Sequence, residues 1–250
     1  MASIRPVLKK KVRLDHLLVK KGLAESREKA KALIMAGEVE VNGQRAEKPG
    51  HLFQVTSDVS IKKGPLYVSR GGLKLEAALD HFSINVKGYT LLDIGASTGG
   101  FTDCLLQRGA EKIIAVDVGY GQLHWKLRQD PRVVILEKRN IRHLKPNDLK
   151  EQINGAVVDV SFISLKLVVP PLSKLLLMNS FILALLKPQF EVGRHQVGKG
   201  GVVRDPLLHK KVVEDLSRFF ENSGWRIAGH IPSPILGPKG NQEFLIYMKR

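Results

Sequence analysis

The feature that most constrains this chain is the segment Leu91–Phe101, LLDIGASTGGF, where an apolar run turns through closely spaced glycines directly into a helical pattern. A strand, a glycine-rich turn and a helix in that order form the opening unit of an open α/β sheet, because glycine lets the backbone bend sharply and lets a ligand approach it. The alternation then continues. KIIAVDVG, VVILEKRN, GAVVDVSF and SFILALLKP read as strands, while GGFTDCLLQRG, GQLHWKLRQD, SLKLVVPPLSKLL and DPLLHKKVVEDLSRFFENSG read as helices. Strands that are apolar throughout imply a parallel sheet covered on both faces. WRIAGHIPSPI and QEFLIYMKR have no helix between them and are expected to pair as a hairpin that brings an antiparallel strand into the sheet. A helix, GGLKLEAALDHF, precedes the first strand.

The front of the chain has a different texture. Leu14, Leu17 and Leu18 stand at helical spacing and Gly22 stops them; Ser26 can cap a second helix with Ala30, Leu33 and Ile34 on its buried side, ended by Gly37. GEVEVNGQ then reads as a short strand entering an Asn42-Gly43 hairpin turn. Residues 1–63 are therefore expected to form a small α+β domain, residues 64–72 a linker marked by Gly and Pro, and residues 73–250 the larger α/β domain.

Charge narrows the partner. Lys plus Arg less Asp plus Glu is 40 − 24 = +16, and 14 Lys or Arg against 7 Asp or Glu place +7 of it in residues 1–63. Such a surplus points to a polyanion. MASIRPVLKKKVR lacks an apolar stretch with a small-residue cleavage site, so a cytoplasmic protein is expected. The most apolar region, Leu165–Pro188, is broken by Pro170, Pro171, Lys174 and Asn179, against a membrane span. Cys104 is the single cysteine and reads as an inert core residue; no CxxC or HExxH suggests a metal, and none is expected.

The donor side of the expected sheet can be read residue by residue. Gly95, Gly99 and Gly100 form the turn, with Ser97 and Phe101 beside them, and the GxxxGG spacing is not the dinucleotide pattern. Asp93 sits inside the strand end. Asp117 ends the next strand 117 − 95 = 22 residues beyond Gly95, where a carboxylate can accept hydrogen bonds from the ribose of an adenosine. Asp117 alone would serve NAD equally well, or act as a helix cap. Asn140, ending the third strand, is expected to border the adenine. GRHQVGKG, over Gly193–Gly200, imitates a phosphate-binding loop but lacks Ser or Thr after Lys199, so it reads as a substrate loop.

Four charged residues stand at one rim of the expected sheet: Lys74 on the leading helix, Asp159 ending the fourth strand, Lys187 ending the fifth and Glu243 starting the last. Together with RGGLKL, DIGASTGGFTD, DVSFISL, LLKPQFE, GVVRD and GNQEF, they make the chain resemble the FtsJ-type ribose 2′-O-methyltransferases, which carry a Lys-Asp-Lys-Glu tetrad, and more closely the TlyA family of ribosomal RNA methyltransferases. The segment from Arg13 to about Phe53 resembles the alpha-L RNA-binding motif. The resemblance implies a Rossmann-like methyltransferase sheet, S-adenosylmethionine as donor, Asp93 near its methionine end, and a cytidine 2′-hydroxyl in ribosomal RNA as acceptor. It makes Lys187 the base or orienter, Lys74 a source of positive potential, and Asp159 and Glu243 the groups that position the amines. Arg13, Arg27, Lys29, Lys31, Asn42 and Lys48 in the front module, Arg70 in the linker, and Arg194, Lys199 and Arg204 after the fifth strand are the expected RNA contacts. Tyr120, Trp125 and Phe162 are candidates for stacking on a base, with helix packing favoured for Trp125. The expected partner is ribosomal RNA or a ribosomal subunit, without DNA or a membrane, engaged by a monomer. The chain stops 250 − 243 = 7 residues after Glu243, which leans the expectation toward large-subunit (23S) RNA. Two other classes stay open: a membrane-lytic protein, since relatives are often labelled hemolysins, and a noncatalytic RNA-binding assembly factor.

Overall fold

The computed structural model describes residues 10–62 and 64–250, apart from the side chain of Arg194. The chain divides into two compact units at Leu66/Tyr67.

In the first unit, β1 (Lys11–Arg13) runs into α1 (Leu14–Lys20), followed by α2 (Arg27–Met35), β2 (Val39–Val41), β3 (Gln44–Arg45), β4 (Leu52–Gln54) and β5 (Val59–Ile61). Ser26 caps α2 by accepting a 3.1 Å hydrogen bond from the Lys29 amide. Asn42 and Gly43, at φ 52° and 76°, make the tight turn between β2 and β3. The leucines at helical spacing, Leu14, Leu17 and Leu18, are fully buried with Ala30, Ile34, Val39 and Val41. The sequence pattern gave two helices and one hairpin. The structure adds β1 paired antiparallel to β4, and β5 paired antiparallel to β2. Strands of three residues carry too little alternation to register as a period.

The second unit begins at Tyr67, ahead of the expected start at Leu73, because the Tyr67 ring is buried and its hydroxyl donates to Glu76 Oε1 at 2.8 Å. Its elements are α3 (Gly71–His81), β6 (Thr90–Ile94), α4 (Gly100–Gln107), β7 (Lys112–Val116), α5 (Trp125–Arg128), β8 (Val133–Leu136), β9 (Ile153–Val158), α6 (Leu165–Ser173), β10 (Leu176–Leu186), α7 (Pro206–Asn222), β11 (Arg226–Pro232) and β12 (Phe244–Lys249). They build a seven-stranded sheet of order β11-β12-β10-β9-β6-β7-β8. β10, β9, β6, β7 and β8 are parallel, and β12 lies antiparallel between β10 and β11.

Both faces of the sheet are covered, which is why its central strands are apolar without interruption. Leu91, Ile113 and Val157 pack with α3 and α4, whereas Leu92, Ile114 and Val158 pack with α6 and α7 on the other side. The helix expected over GQLHWKLRQD shrinks to Trp125–Arg128. Gly121 takes φ 73°, and His124 stays extended while its Nδ1 accepts from the Lys126 amide at 3.3 Å, so the helix starts late. Leu123 and Leu127 take the core positions and Trp125 is 66% exposed, contrary to the packing role expected for it.

The chain moves from β6 to β7 and β8 on one side, and returns through β9 and β10 on the other. The topological switch point therefore lies between β6 and β9, and ligands of open α/β sheets bind beyond the strand ends at that place.

Candidate active site

Gly95 follows β6 and Asp159 follows β9, so they flank the switch point. Gly95 has φ 83°, and a Cβ there would stand 2.3 Å from the Asp159 carbonyl oxygen; only glycine lets the two chain segments close. Gly99, at φ 93°, meets the same limit, since a Cβ would lie 2.3 Å from Leu127 Cδ1.

Two cavities adjoin here, sharing Gly95, Ser97 and Asp159 in their linings. The first, about 360 Å³, is lined by all four tetrad residues together with Arg70, Asp93, Gly100, Phe101 and Gly237. The second, about 520 Å³, is lined by Asp117, Arg139, Asn140, Arg142, Phe162 and Val168, among others.

In the first cavity the four charges resolve into two ion pairs. Lys74 Nζ donates to Glu243 Oε2 at 2.5 Å, and Lys187 Nζ lies 2.6 Å from Asp159 Oδ1. Lys187 also donates to Ser161 Oγ at 2.9 Å. Its approach to Asp159 Oδ1 is close but lacks hydrogen-bond geometry, which leaves that oxygen's acceptor capacity open among the described residues. Glu243 is completely buried and both lysines nearly so, an environment in which removing one partner is costly. Glu243 Oε1 has no hydrogen-bond partner among the described residues.

Asp93 is also fully buried. Its Oδ2 accepts from the Thr102 amide at 3.0 Å and the Thr102 hydroxyl at 2.7 Å, while Oδ1 has no partner among the described residues. Burial pushes its pKa up to about 7, against the pull of the Thr102 hydrogen bonds. A cationic ligand group with an N–H donor beside Oδ1 would satisfy both the orphaned oxygen and the charge.

On the second cavity's side, Asp117 is tied to its own loops. Its Oδ2 accepts from the Ser97 amide at 2.8 Å and its Oδ1 from the Gly119 amide at 2.7 Å. A carboxylate keeps further lone pairs, so this turn-holding role is compatible with ribose recognition. Asn140 Oδ1 accepts from the Arg142 amide at 3.1 Å and so holds the cavity wall. Phe162 is 89% exposed at φ 63° and Tyr120 is 72% exposed with Lys138 Nζ 4.6 Å from its ring centre. Arg139, Arg142, Ser161 and Gly237 were not singled out from the sequence. They lie on short connecting segments whose composition carries no period, Arg142 within the single 3-10 turn Ile141–His143.

The expected RNA contacts separate into groups. Arg13 and Arg27 meet at Asp15, Lys29 and Lys31 are exposed on α2, and Lys48 is exposed on the turn before β4. Asn42 is exposed and also fastens the first unit, its Oδ1 accepting from the Asp58 amide at 3.0 Å. Arg70 lines the first cavity. Lys199 and Arg204 are exposed on a loop outside both cavity linings, and the side chain of Arg194 lies outside the described residues. Cys104 is buried, with its thiol pushed up to about 12 by desolvation, in keeping with an unreactive core residue. Among the described residues there is no group of three or more His, Cys, Asp or Glu placed to hold a metal, and no helix long and apolar enough to cross a membrane.

Residues 67–250 match the FtsJ-like methyltransferase family, and residues 12–59 match the S4 domain. A Bacillus subtilis protein provisionally named rRNA methyltransferase YqxC is 53% identical over 241 residues, covering 96% of this chain and 86% of that protein. The Mycobacterium tuberculosis 16S/23S rRNA (cytidine-2′-O)-methyltransferase TlyA is 46% identical over 242 residues, 96% of this chain and 90% of the relative. A solved structure from Streptococcus thermophilus, provisionally called a hemolysin, superposes with a TM-score of 0.73 at 47% identity, covering 97% of this chain and 89% of that one.

Proposed function

The chain belongs to the family of FtsJ-like methyltransferases, and from that membership we propose that it methylates the 2′-hydroxyl of a cytidine in ribosomal RNA, using S-adenosylmethionine, in the cytoplasm. Large-subunit RNA is the first substrate to test. The observation that carries the reading is the meeting of two lysine–carboxylate pairs, Lys74–Glu243 and Lys187–Asp159, in a cavity that adjoins a second one across Gly95.

The donor supplies an electrophilic methyl on a sulfonium; the chain's part is to hold the acceptor hydroxyl in line with it and manage its proton. Lys187 and Asp159 end adjacent parallel strands, so backbone hydrogen bonding fixes their separation. Lys187 Nζ, held between Asp159 and Ser161, would orient the hydroxyl and, only after giving up a proton of its own to become the neutral amine, take the hydroxyl's proton. Lys74, anchored on buried Glu243, adds fixed positive potential where negative charge develops on the oxygen. The orphaned Asp93 Oδ1 is the acceptor for the donor's amino group, and Asp117 with Asn140 borders its adenosine. The basic first unit supplies RNA affinity through its lysines and arginines.

Purified protein, labelled donor and ribosomal subunits test this directly. Ribose-methylated cytidine should appear in the RNA and fall by about 100-fold or more in Lys187→Ala. Label on a base, or no label with either subunit, would sink the proposal. The hemolysin label on the Streptococcus relative supports a second reading, membrane lysis. Liposome leakage that persists in Lys187→Ala would favour it.

A further inference from the structure

Asp15 is a fully buried carboxylate in the first turn of α1 that plays no part in the methyl-transfer site. A buried charge costs several kcal/mol unless it is paired and hydrogen-bonded. Here it is held by two arginines from different elements. Arg13, at the end of β1, donates through Nε at 3.1 Å to one oxygen and through Nη2 at 3.0 Å to the other. Arg27, at the start of α2, donates through Nη2 at 3.2 Å, and the His16 amide adds a 3.0 Å hydrogen bond. Asp15 is held well below the usual carboxylate range, first by its hydrogen bonds to Arg13, so it stays ionised.

We propose that Asp15 is a positioning residue that gathers the Arg13 and Arg27 guanidinium groups into one clamp for a single RNA phosphodiester; the proposal rests on the reading above that the acceptor is RNA. Both arginine side chains remain 46% exposed. Each guanidinium has five N–H donors in a planar fork. Arg13 spends two on Asp15 and Arg27 one, so seven stay available to an anion. Two cations and one anion leave a net charge of +1, matched to one phosphodiester.

The surroundings keep the clamp open. Gly50 lies beside Arg13, and a Cβ there would stand 3.3 Å from Nη1, crowding the edge that Asp15 leaves unused. The turn carrying Gly50 is pinned to α1 by hydrogen bonds from the Leu14 amide to the His51 carbonyl and from the Asp15 amide to the Pro49 carbonyl. Without the carboxylate, two like charges would repel and sample many rotamers. With it, the ordering cost of two long side chains is met during folding rather than on binding.

The test uses the full chain and purified ribosomal subunits, measuring binding between about 50 and 200 mM salt, donor affinity, kcat and KM. Asp15→Asn should weaken subunit binding about tenfold and raise KM, leaving kcat and donor affinity unchanged. Arg13→Lys, which keeps charge but loses the fork, should do the same. The Arg13→Ala/Arg27→Ala double variant should lower the slope of log affinity against log salt by about 1, for one phosphate. Wild-type binding by a folded Asp15→Asn chain, or a slope change of about 2, overturns the clamp. If Asp15→Asn does not fold, Arg13→Lys and the double variant decide. Failure of the RNA reading is separately visible, because the unaltered chain would then bind neither subunit, and the clamp falls with it.

Discussion

Gly237 and Glu243 face each other so closely that a methyl group on Gly237 would lie 2.1 Å from Glu243 Oε1. The loop thus closes over the carboxylate that anchors Lys74. Gly237 has φ −70°, which alanine adopts without strain, so Gly237→Ala should act through Glu243 rather than through the backbone. We expect the carboxylate to shift, the 2.5 Å pair with Lys74 to open, and kcat to fall by about 100-fold with the fold retained. Methylation kinetics beside a circular dichroism melt check this; normal kcat would mean that Glu243 does not need its present position.

The same pair predicts a stability effect. Lys74→Met leaves a fully buried carboxylate without its cation, which should cost about 3–5 kcal/mol in urea unfolding at neutral pH. Lys74→Met/Glu243→Leu should recover most of that stability and none of the methyl transfer. Recovery of activity in the double variant would remove both residues from the reaction.

Asp93 predicts a pH dependence. Its folded pKa of about 7 lies above the ordinary aspartate value of 3.8, so the folded state binds the extra proton. The stability it contributes is fully present below pH 4 and is lost as pH rises through about 7. Asp93→Asn should flatten the unfolding free energy across that window. A cationic donor favours the ionised carboxylate, so donor affinity by calorimetry should rise roughly tenfold from about pH 6 to 8 in the unaltered chain and lose that rise in Asp93→Asn. A flat wild-type profile would contradict the assigned contact.

Gly95→Ala combines a left-handed backbone with a 2.3 Å approach to the Asp159 carbonyl. It should destabilise the second unit by more than about 1 kcal/mol and abolish donor binding, because β6 and β9 must separate at the switch point. Calorimetry that detects normal donor affinity would show that the two loops can part without harm.

Much of the fold was legible because the strand core obeys one simple rule: residues such as Leu91 and Leu92 bury on opposite faces, and helices cover both. The antiparallel last strand was legible from the missing helix before it. The tetrad positions could be read because each sits at a strand or helix terminus, where element order fixes location. What stayed hidden depended on loops and on long-range pairing. Nothing local to Asp15 shows that Arg27, twelve residues on, would share its carboxylate, and nothing near Gly237 shows that it would roof Glu243. The shortened α5 and the exposed Trp125 were missed because a cap by His124 competes with helical spacing.

The placement of β12 has a consequence for assembly. Because it runs against its neighbours, its beginning rather than its end reaches the reaction cavity, and it arrives there by slotting between two strands made earlier in the chain. Asp93 and both lysines stand on or beside elements earlier in the chain, whereas Glu243 reaches the cavity only with this strand. Pairing of β12 with β10 and β11 is thus a condition for the Lys74–Glu243 pair, which ties the charge balance of the cavity to closure of this side of the sheet.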